Sequence, residues 1–561
     1  MPGRPLSMTT VINSGAFVSW PDAASGGLWT KVETTRADGA RRSNHRRRSV
    51  ARRPAPVAPE GPLRANMRNE PCGCGPGVAS LGGEHREADM SAAKESSDVL
   101  VVGGGMAGLT AAARAAELGL AVTVLERGTS PRYPANARWS GGVYHVGYHD
   151  ITAPPAMLRD VIDRATAGAA HKGQAEAFAA NAGRLVAWMA EGGATYVGTA
   201  VAWQQFILAP MRAMRAGLDW EDRGPDQLFR RLTERFTSRG GRLVLGARAR
   251  SLVIEAGRCV GVRAEVDGAE RVFAASAVVI ADGGFQADLA RLGRHVTPHP
   301  ERIKQRGAAN GTGDGVAMAE AAGAATAGMD LFYGHLLSRD ALTNDGVWPY
   351  PEVDALATAG ILVDASGRRF ADEGVGGVAL TNLLARAEDP LGATIIFDAA
   401  IWNGPGRSAR IPANPTLPEA GGTVHTGATL EALATAAGLP GAALLATVNA
   451  YNEAVSAAAS TRLTPPRTTA KHKPMPIVTA PFHAIPVCAG ITYTMGGILI
   501  DGEARVLRVD GSAIDGLYAA GSTTGGLEGG APVGYLGGLA KAGVQGLVAA
   551  ESIARRSVPK P

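Results

Sequence analysis

Gly103-Gly104-Gly105-Met106-Ala107-Gly108 spells GxGxxG, a spacing whose chemistry is the holding of a pyrophosphate. Gly103 would permit the tight turn, Gly105 would let the backbone approach the phosphates, and Gly108 would let a helix lie close on its strand. Met106 and Ala107 open that helix, where free N–H groups and the helix dipole favour negative charge. Glu126 follows 18 residues after Gly108 and would accept hydrogen bonds from a ribose hydroxyl. Arg127 beside it would suit a 2′-phosphate, but the acidic residue points to an unphosphorylated ribose. Metal chemistry is not expected. Cys72 and Cys74 are too close for a zinc pair, Cys259 and Cys488 have no cysteine neighbour, and no CxxCH occurs. His145 and His149 read as solvent-exposed loop residues near a possible pocket.

The elements that must hold these groups are legible around them. Asp98-Val99-Leu100-Val101-Val102 is a short apolar run ending in glycine, which predicts a buried strand. Met106 to Leu118 is Ala/Leu-rich and stops at Gly119, which predicts a helix. Ala121 to Leu125 predicts the second strand of a βαβ unit. Phe178, Ala182, Leu185 and Met189 share one helix face, as do Leu228, Leu232 and Phe236. Short strands are expected at 243–245, 252–254, 260–262 and 277–280. Residues 330–475 are less regular, with proline breaks from Pro349 to Pro466, and read as an inserted second domain. A late strand at 514–522 and a helix from about 537 to 553 would bring a second helix N-terminus to a long, two-part cofactor.

The 561 residues are 45% hydrophobic and 19% charged, which argues against a wholly disordered chain. No run of about 18 apolar residues occurs, so no membrane span is expected. Four cysteines exclude a disulfide scaffold and suit a reducing, cytoplasmic setting. The net charge of +5 lies wholly in residues 1–89, which carry 13 Lys+Arg against 8 Asp+Glu; the remainder balances at 43 each. Residues 1–96, with the arginine-rich run Arg41 to Arg53, read as a disordered basic extension, and Met90 as a sensible start for the folded part. No nucleic-acid partner is expected of the charge-balanced remainder.

Seven stretches, in order, carry a resemblance. They are VVGGGMAGLTAA at 101–112, NARWSGGV at 136–143, AVVIADGGF at 277–285, NGTGDGVAMA at 310–319, GILVDASGRRFADE at 360–373, TYTMGGILID at 492–501 and GLYAAGSTTGG at 516–526. Together they resemble the flavoprotein family of fumarate reductase and succinate dehydrogenase, which includes 3-ketosteroid and tricarballylate dehydrogenases. The resemblance spans about residues 97–556. It implies an α/β fold in which a Rossmann-like FAD-binding domain (97–329 and 480–561) is interrupted by an α+β capping domain (330–479). It also implies FAD contacts at Gly103, Gly105, Met106, Ala107, Gly108, Glu126, Arg127, Asn136, Ser140, Gly141, Gly142, Asp282, Gly283, Gly521, Ser522 and Leu536. Covalently flavinylated members carry a histidine just before 136–142; Ala135 stands there, so noncovalent FAD is expected. Many members have glutamate where this chain has Ser522.

The resemblance further implies hydride exchange between a substrate carbon and the flavin, with a side chain moving a proton at the next carbon. CH–CH and C=C would thereby interconvert. Fumarate reductases clamp a dicarboxylate with arginines, whose matching positions here are Leu356, Gly377 and Tyr535; Tyr493 replaces a histidine. Burying a dicarboxylate without those arginines would cost several kcal/mol. The expected substrate is therefore a small carbonyl- or carboxyl-bearing molecule other than fumarate or succinate. Tyr493, Tyr535 and His335 are the expected catalytic residues, since a phenol can hydrogen-bond a carbonyl oxygen or move a proton. For all three the plain alternative is pocket wall. Arg368, Arg369 and Glu373 are expected to brace the cap, and Gly376-Gly377 to widen the pocket. Electrons would pass to or from an unidentified donor or acceptor. The alternative function is a flavin-binding electron carrier or scaffold that has lost catalysis.

Overall fold

In the computed structural model, which describes residues 95–557, the first sheet grows from the βαβ unit. The expectations for the Arg41 to Arg53 run, Cys72, Cys74 and Met90 lie outside the described residues. β1 (Glu95–Val102), α1 (Met106–Glu117) and β2 (Val122–Glu126) are followed by α2 (Lys172–Glu191), α3 (Gly224–Thr237) and β3 (Arg242–Leu245). Then come β4 (Arg248–Glu255), β5 (Arg258–Val266) and β6 (Ala269–Ile280). Val99, Leu100, Val101, Val124, Val278 and Val279 are fully buried, as expected of a parallel sheet covered on both faces. Each such side chain contributes about 1.5–3 kcal/mol by leaving water.

The chain then builds a second sheet from β7 (Phe332–Ser338), β8 (Ile361–Val363), β9 (Thr394–Asp398) and β10 (Phe482–Thr494). β10 is its hub: it pairs antiparallel with β7, β9 and His425–Gly427, and parallel with Lys304–Gln305. Strand pairing thus carries this sheet to Thr494, past the expected boundary at 479, and draws in two residues before 330. An apolar strand buried on both faces fits either sheet equally well, so composition alone does not say which one holds β10. In its register with β7, Tyr333 sits opposite Tyr493.

The chain returns through β11 (Arg505–Leu507) and β12 (Ala513–Ala519) and ends in α4 (Gly538–Ser557). The first sheet runs β11-β12-β6-β1-β2-β3, parallel from β12 to β3, with the β4–β5 hairpin on β6. α4 crosses α1 closely at Gly546, where a Cβ would lie 2.5 Å from the Ala107 carbonyl oxygen. The carboxyl ends of β1, β6 and β12 deliver Gly103, Asp282 and Gly521 to one crevice, where open parallel sheets bind ligands.

The second sheet is braced by charge. Glu373 is fully buried, takes Arg369 Nη2 at 2.6 Å and Nε at 3.0 Å, and lies 3.7 Å from Arg467 Nε. It also accepts the Leu362 N–H, tying the motif residues to β8.

Candidate active site

A cavity of about 510 Å³ runs from the β1 turn to the second sheet. Gly103 turns with φ +99°, and a Cβ there would lie 2.6 Å from the Ala281 carbonyl oxygen. A Cβ on Gly108 would strike the Gly103 carbonyl at 2.0 Å, so this glycine serves packing and does not line the cavity. A Cβ on Gly105 would meet only the Ala281 oxygen at 3.7 Å, leaving the backbone open to a ligand. Glu126 accepts the N–H of Gly104 at 2.8 Å and of Gly128 at 2.7 Å, fixing the turn. Burial nevertheless pushes its carboxyl up.

Of the expected cofactor residues, Gly103, Gly105, Met106, Ala107, Glu126, Asn136, Ser140, Gly141, Gly142, Asp282, Gly283, Gly521 and Ser522 line this one cavity. Arg127 does not: it donates to the Asn310 carbonyl and to Thr312 Oγ1. Nor does Leu536, which is fully buried and whose N–H donates to Glu528 Oε1 at 3.0 Å. Asp282 is buried in the wall, where burial pushes its carboxyl up to about 7. Its Oδ2 accepts the Gly315 N–H at 2.6 Å and its Oδ1 has no partner. The open cradle at Gly105 fits a bound dinucleotide.

At the far end the cavity is lined by phenols, and here the structure adds residues that the motifs did not mark. The Tyr333 ring stacks on Tyr535, centroids 3.9 Å apart and planes 13° from parallel. Tyr333 Oη lies 2.8 Å from His335 Nε2, and His335 Nδ1 lies 2.5 Å from Asp354 Oδ2. With Asp354 accepting from Nδ1–H, the other ring nitrogen is left to accept the Tyr333 proton. Asp354 is itself held by the Leu336 N–H at 2.8 Å. Tyr535 Oη accepts the Gly538 N–H at 3.1 Å, which leaves its own proton free for an acceptor in the cavity. Burial raises the phenols of Tyr333 and Tyr535, so both hold their protons strongly.

Tyr493 also lines the cavity, but its hydroxyl is committed to Glu528, with oxygens at 3.0 and 3.1 Å. Glu528 in turn meets the buried Lys541 ammonium at 3.3 Å. His145 is buried rather than solvent-exposed: it stacks on Tyr148 at 5.0 Å, and burial pulls it down to about 4. His149 is half-buried, with Nδ1 2.9 Å from the Gly147 carbonyl oxygen.

An arginine does enter the site, at Arg306. It pairs with Glu352, donates to Thr492 Oγ1 at 2.8 Å, and makes two bonds to the Pro349 carbonyl. Glu352 also lies 3.5 Å from His335 Nε2. Arg306, Glu352 and Asp354 sit outside every motif, and only the acidic pair two residues apart after Pro351 was available as a signal.

A pyrophosphate-type turn at the carboxyl ends of a parallel sheet, opening onto phenols backed by a histidine–aspartate pair, is the geometry of a dinucleotide-binding cleft. The FAD binding domain family matches residues 98–534, and the chain belongs to that family of flavoproteins. The NADH:acrylate oxidoreductase of Vibrio harveyi is 31% identical over 314 residues, 54% of this chain and 29% of that protein. The NADH:fumarate oxidoreductase of Klebsiella pneumoniae (strain 342) is 27% identical over 464 residues, 80% of this chain and 46% of that protein. The chain thus spans less than half the length of either relative. In fold it matches the 3-ketosteroid-Δ4-(5α)-dehydrogenase of Rhodococcus jostii RHA1 with a TM-score of 0.64 at 23% identity, covering 83% of this chain and 99% of that one. No helix among the described residues is long and apolar enough to cross a membrane.

Proposed function

We propose that the protein uses noncovalently held FAD to remove hydrogen from a CH–CH bond, or to add it across C=C, next to a carbonyl or carboxyl group. One observation carries this reading: the stacked Tyr333–Tyr535 pair faces the cofactor cavity with His335 and Asp354 behind it. When bound, FAD would exchange a hydride with the substrate carbon. Tyr535 donates its free proton to the carbonyl oxygen, stabilising the charge that develops there. Tyr333 takes or gives the proton at the adjacent carbon and exchanges it with His335 Nε2, whose tautomer Asp354 fixes. The phenols hold their protons because they are buried, so proton loss from Tyr333 is coupled to proton gain by His335 rather than to bulk water.

A dicarboxylate does not suit this pocket. Arg306 is spent on Glu352, and the three arginine positions of fumarate reductases are Leu356, Gly377 and Tyr535. At Ala135 a methyl group stands where covalent attachment needs a histidine. Acid precipitation should therefore release the flavin into the supernatant, and flavin retained in the pellet would contradict noncovalent attachment. The test of function is anaerobic: saturated ketones or acids should bleach the flavin, or the matching unsaturated compounds should reoxidise the reduced enzyme. Failure with every such pair would defeat the proposal. An electron carrier would need no such relay, and it would stay unresponsive to all of them.

A further inference from the structure

We propose that Arg410, backed by Arg223, forms a carboxylate-binding subsite in this cleft, so that the substrate is a monoanion. The inference rests on the reading of the cleft as a substrate pocket. Arg410 lines the cavity and spends Nη1 on the Gly141 carbonyl at 2.9 Å. Among the described residues its remaining N–H groups have no acceptor and no carboxylate pairs with it. Arg223 grips the preceding carbonyl, Ser140, at 2.8 Å and the Asp219 carbonyl at 2.9 Å. The Asp219 carboxylate is hydrogen-bonded in bidentate fashion to Arg212 at 2.6 Å and reaches Arg223 only through space.

Among the described residues, two guanidiniums therefore flank one turn with backbone carbonyls as their only oxygen hydrogen-bond partners. Burial disfavours both charges, and Arg410 disfavours that of Arg223 further. Among the described residues the Tyr350 phenol is the acidic side chain that favours the Arg410 charge. A partly desolvated pair of like charges is a standing site for an anion, and a planar fork suits a carboxylate. Elsewhere in the cleft the one arginine is already matched, Arg306 by Glu352, and the Asp354 carboxylate held on His335 offers no positive charge to a ligand. That leaves capacity for one carboxylate, not two. Trp139, Trp203, Met214 and Ile411 line the same cavity and would cover an apolar body between the anionic and carbonyl ends.

The test is calorimetric titration of FAD-loaded enzyme with cyclohexanecarboxylate, its neutral isostere cyclohexanecarboxamide, and inorganic phosphate. The acid should bind about tenfold or more tighter than the amide, the gain expected of a charge-assisted pair. Arg410→Gln should abolish that preference with flavin content retained, and Arg410→Lys should keep part of it. Equal binding of acid and amide, a preference that survives Arg410→Gln, tighter binding of phosphate, or loss of flavin in both variants would overturn the subsite. Acid binding without turnover of any acid or ketone would sink the proposed reaction and leave the subsite standing. Turnover of neutral ketones with no preference for acids would do the reverse.

Discussion

Asp354 stands where a side chain on Gly377 would have to go: a Cβ at Gly377 would lie 2.1 Å from Asp354 Cγ. By the motif resemblance, position 377 is where the proton-donating arginine of fumarate reductases is expected. Glycine there leaves room for a carboxylate that lies 2.5 Å from His335, and through it reaches Tyr333. On the proposed reading, an aspartate–histidine–tyrosine chain stands in this cleft in place of an arginine.

Asp354→Asn should leave the fold and flavin content intact but remove the anion that sets the His335 tautomer. A turnover loss of about 10²-fold is expected, within the range of general acid–base effects. Stopped-flow flavin bleaching at saturating substrate would show it. Unchanged kinetics would reduce His335 and Asp354 to pocket wall.

The two sequence-marked tyrosines should separate. Tyr535→Phe removes a free phenolic proton from the cavity and should slow turnover by about 10²-fold, the order of one lost transition-state donor. Tyr493→Phe instead strips a donor from the buried Glu528–Lys541 pair, at a cost of about 1–3 kcal/mol in stability and little in rate. Melting curves and single-turnover rates on both variants would decide the assignment.

The range of the contacts decides how much of the site was legible in the sequence. The βαβ cradle is built from neighbours in sequence, so Gly103, Gly105 and Glu126 announced themselves. His335, Tyr493 and Tyr535 were marked by position in motifs, but the hydroxyl of Tyr493 turns to Glu528, which no spacing foretells. Tyr333 reaches the site because the β7–β10 register sets it opposite Tyr493, 160 residues away in the chain. Register is decided by packing across the second sheet, and no local pattern reports it. Arg306, just after the strand Lys304–Gln305, was invisible for the same reason, and Arg410 because it reaches the cleft from a loop.

Glu373 is the weak point of the second sheet. Glu373→Ala would leave Arg369 and Arg467 buried without their shared counter-ion and should cost about 3–5 kcal/mol. Thermal denaturation would register a large loss, whereas Asp364→Ala, on an exposed turn, serves as the control.

Two buried groups give the cofactor-free protein opposing pH responses. The Asp282 carboxyl is raised to about 7, so between its ordinary pKa of 3.8 and that value the unfolded chain holds fewer protons, and stability falls as pH rises. His145 is lowered from 6.5 to about 4, so across that window the unfolded chain holds more protons, and stability rises with pH. The melting temperature of wild type relative to Asp282→Asn should therefore fall as pH rises from about 4 to about 7. A difference between the two proteins that stays constant across that range would contradict the assignment.

The most direct measurement is single-turnover reoxidation of the anaerobically reduced holoenzyme, monitored at the flavin band. Cyclohexenone carboxylates and neutral enones are compared with fumarate in wild type and in Tyr333→Phe. The proposed relay predicts rapid reoxidation by an enone or enoate, slowed about 10²-fold or more in the variant, and none by fumarate. Reoxidation by fumarate alone, or equal rates in wild type and variant, would contradict it.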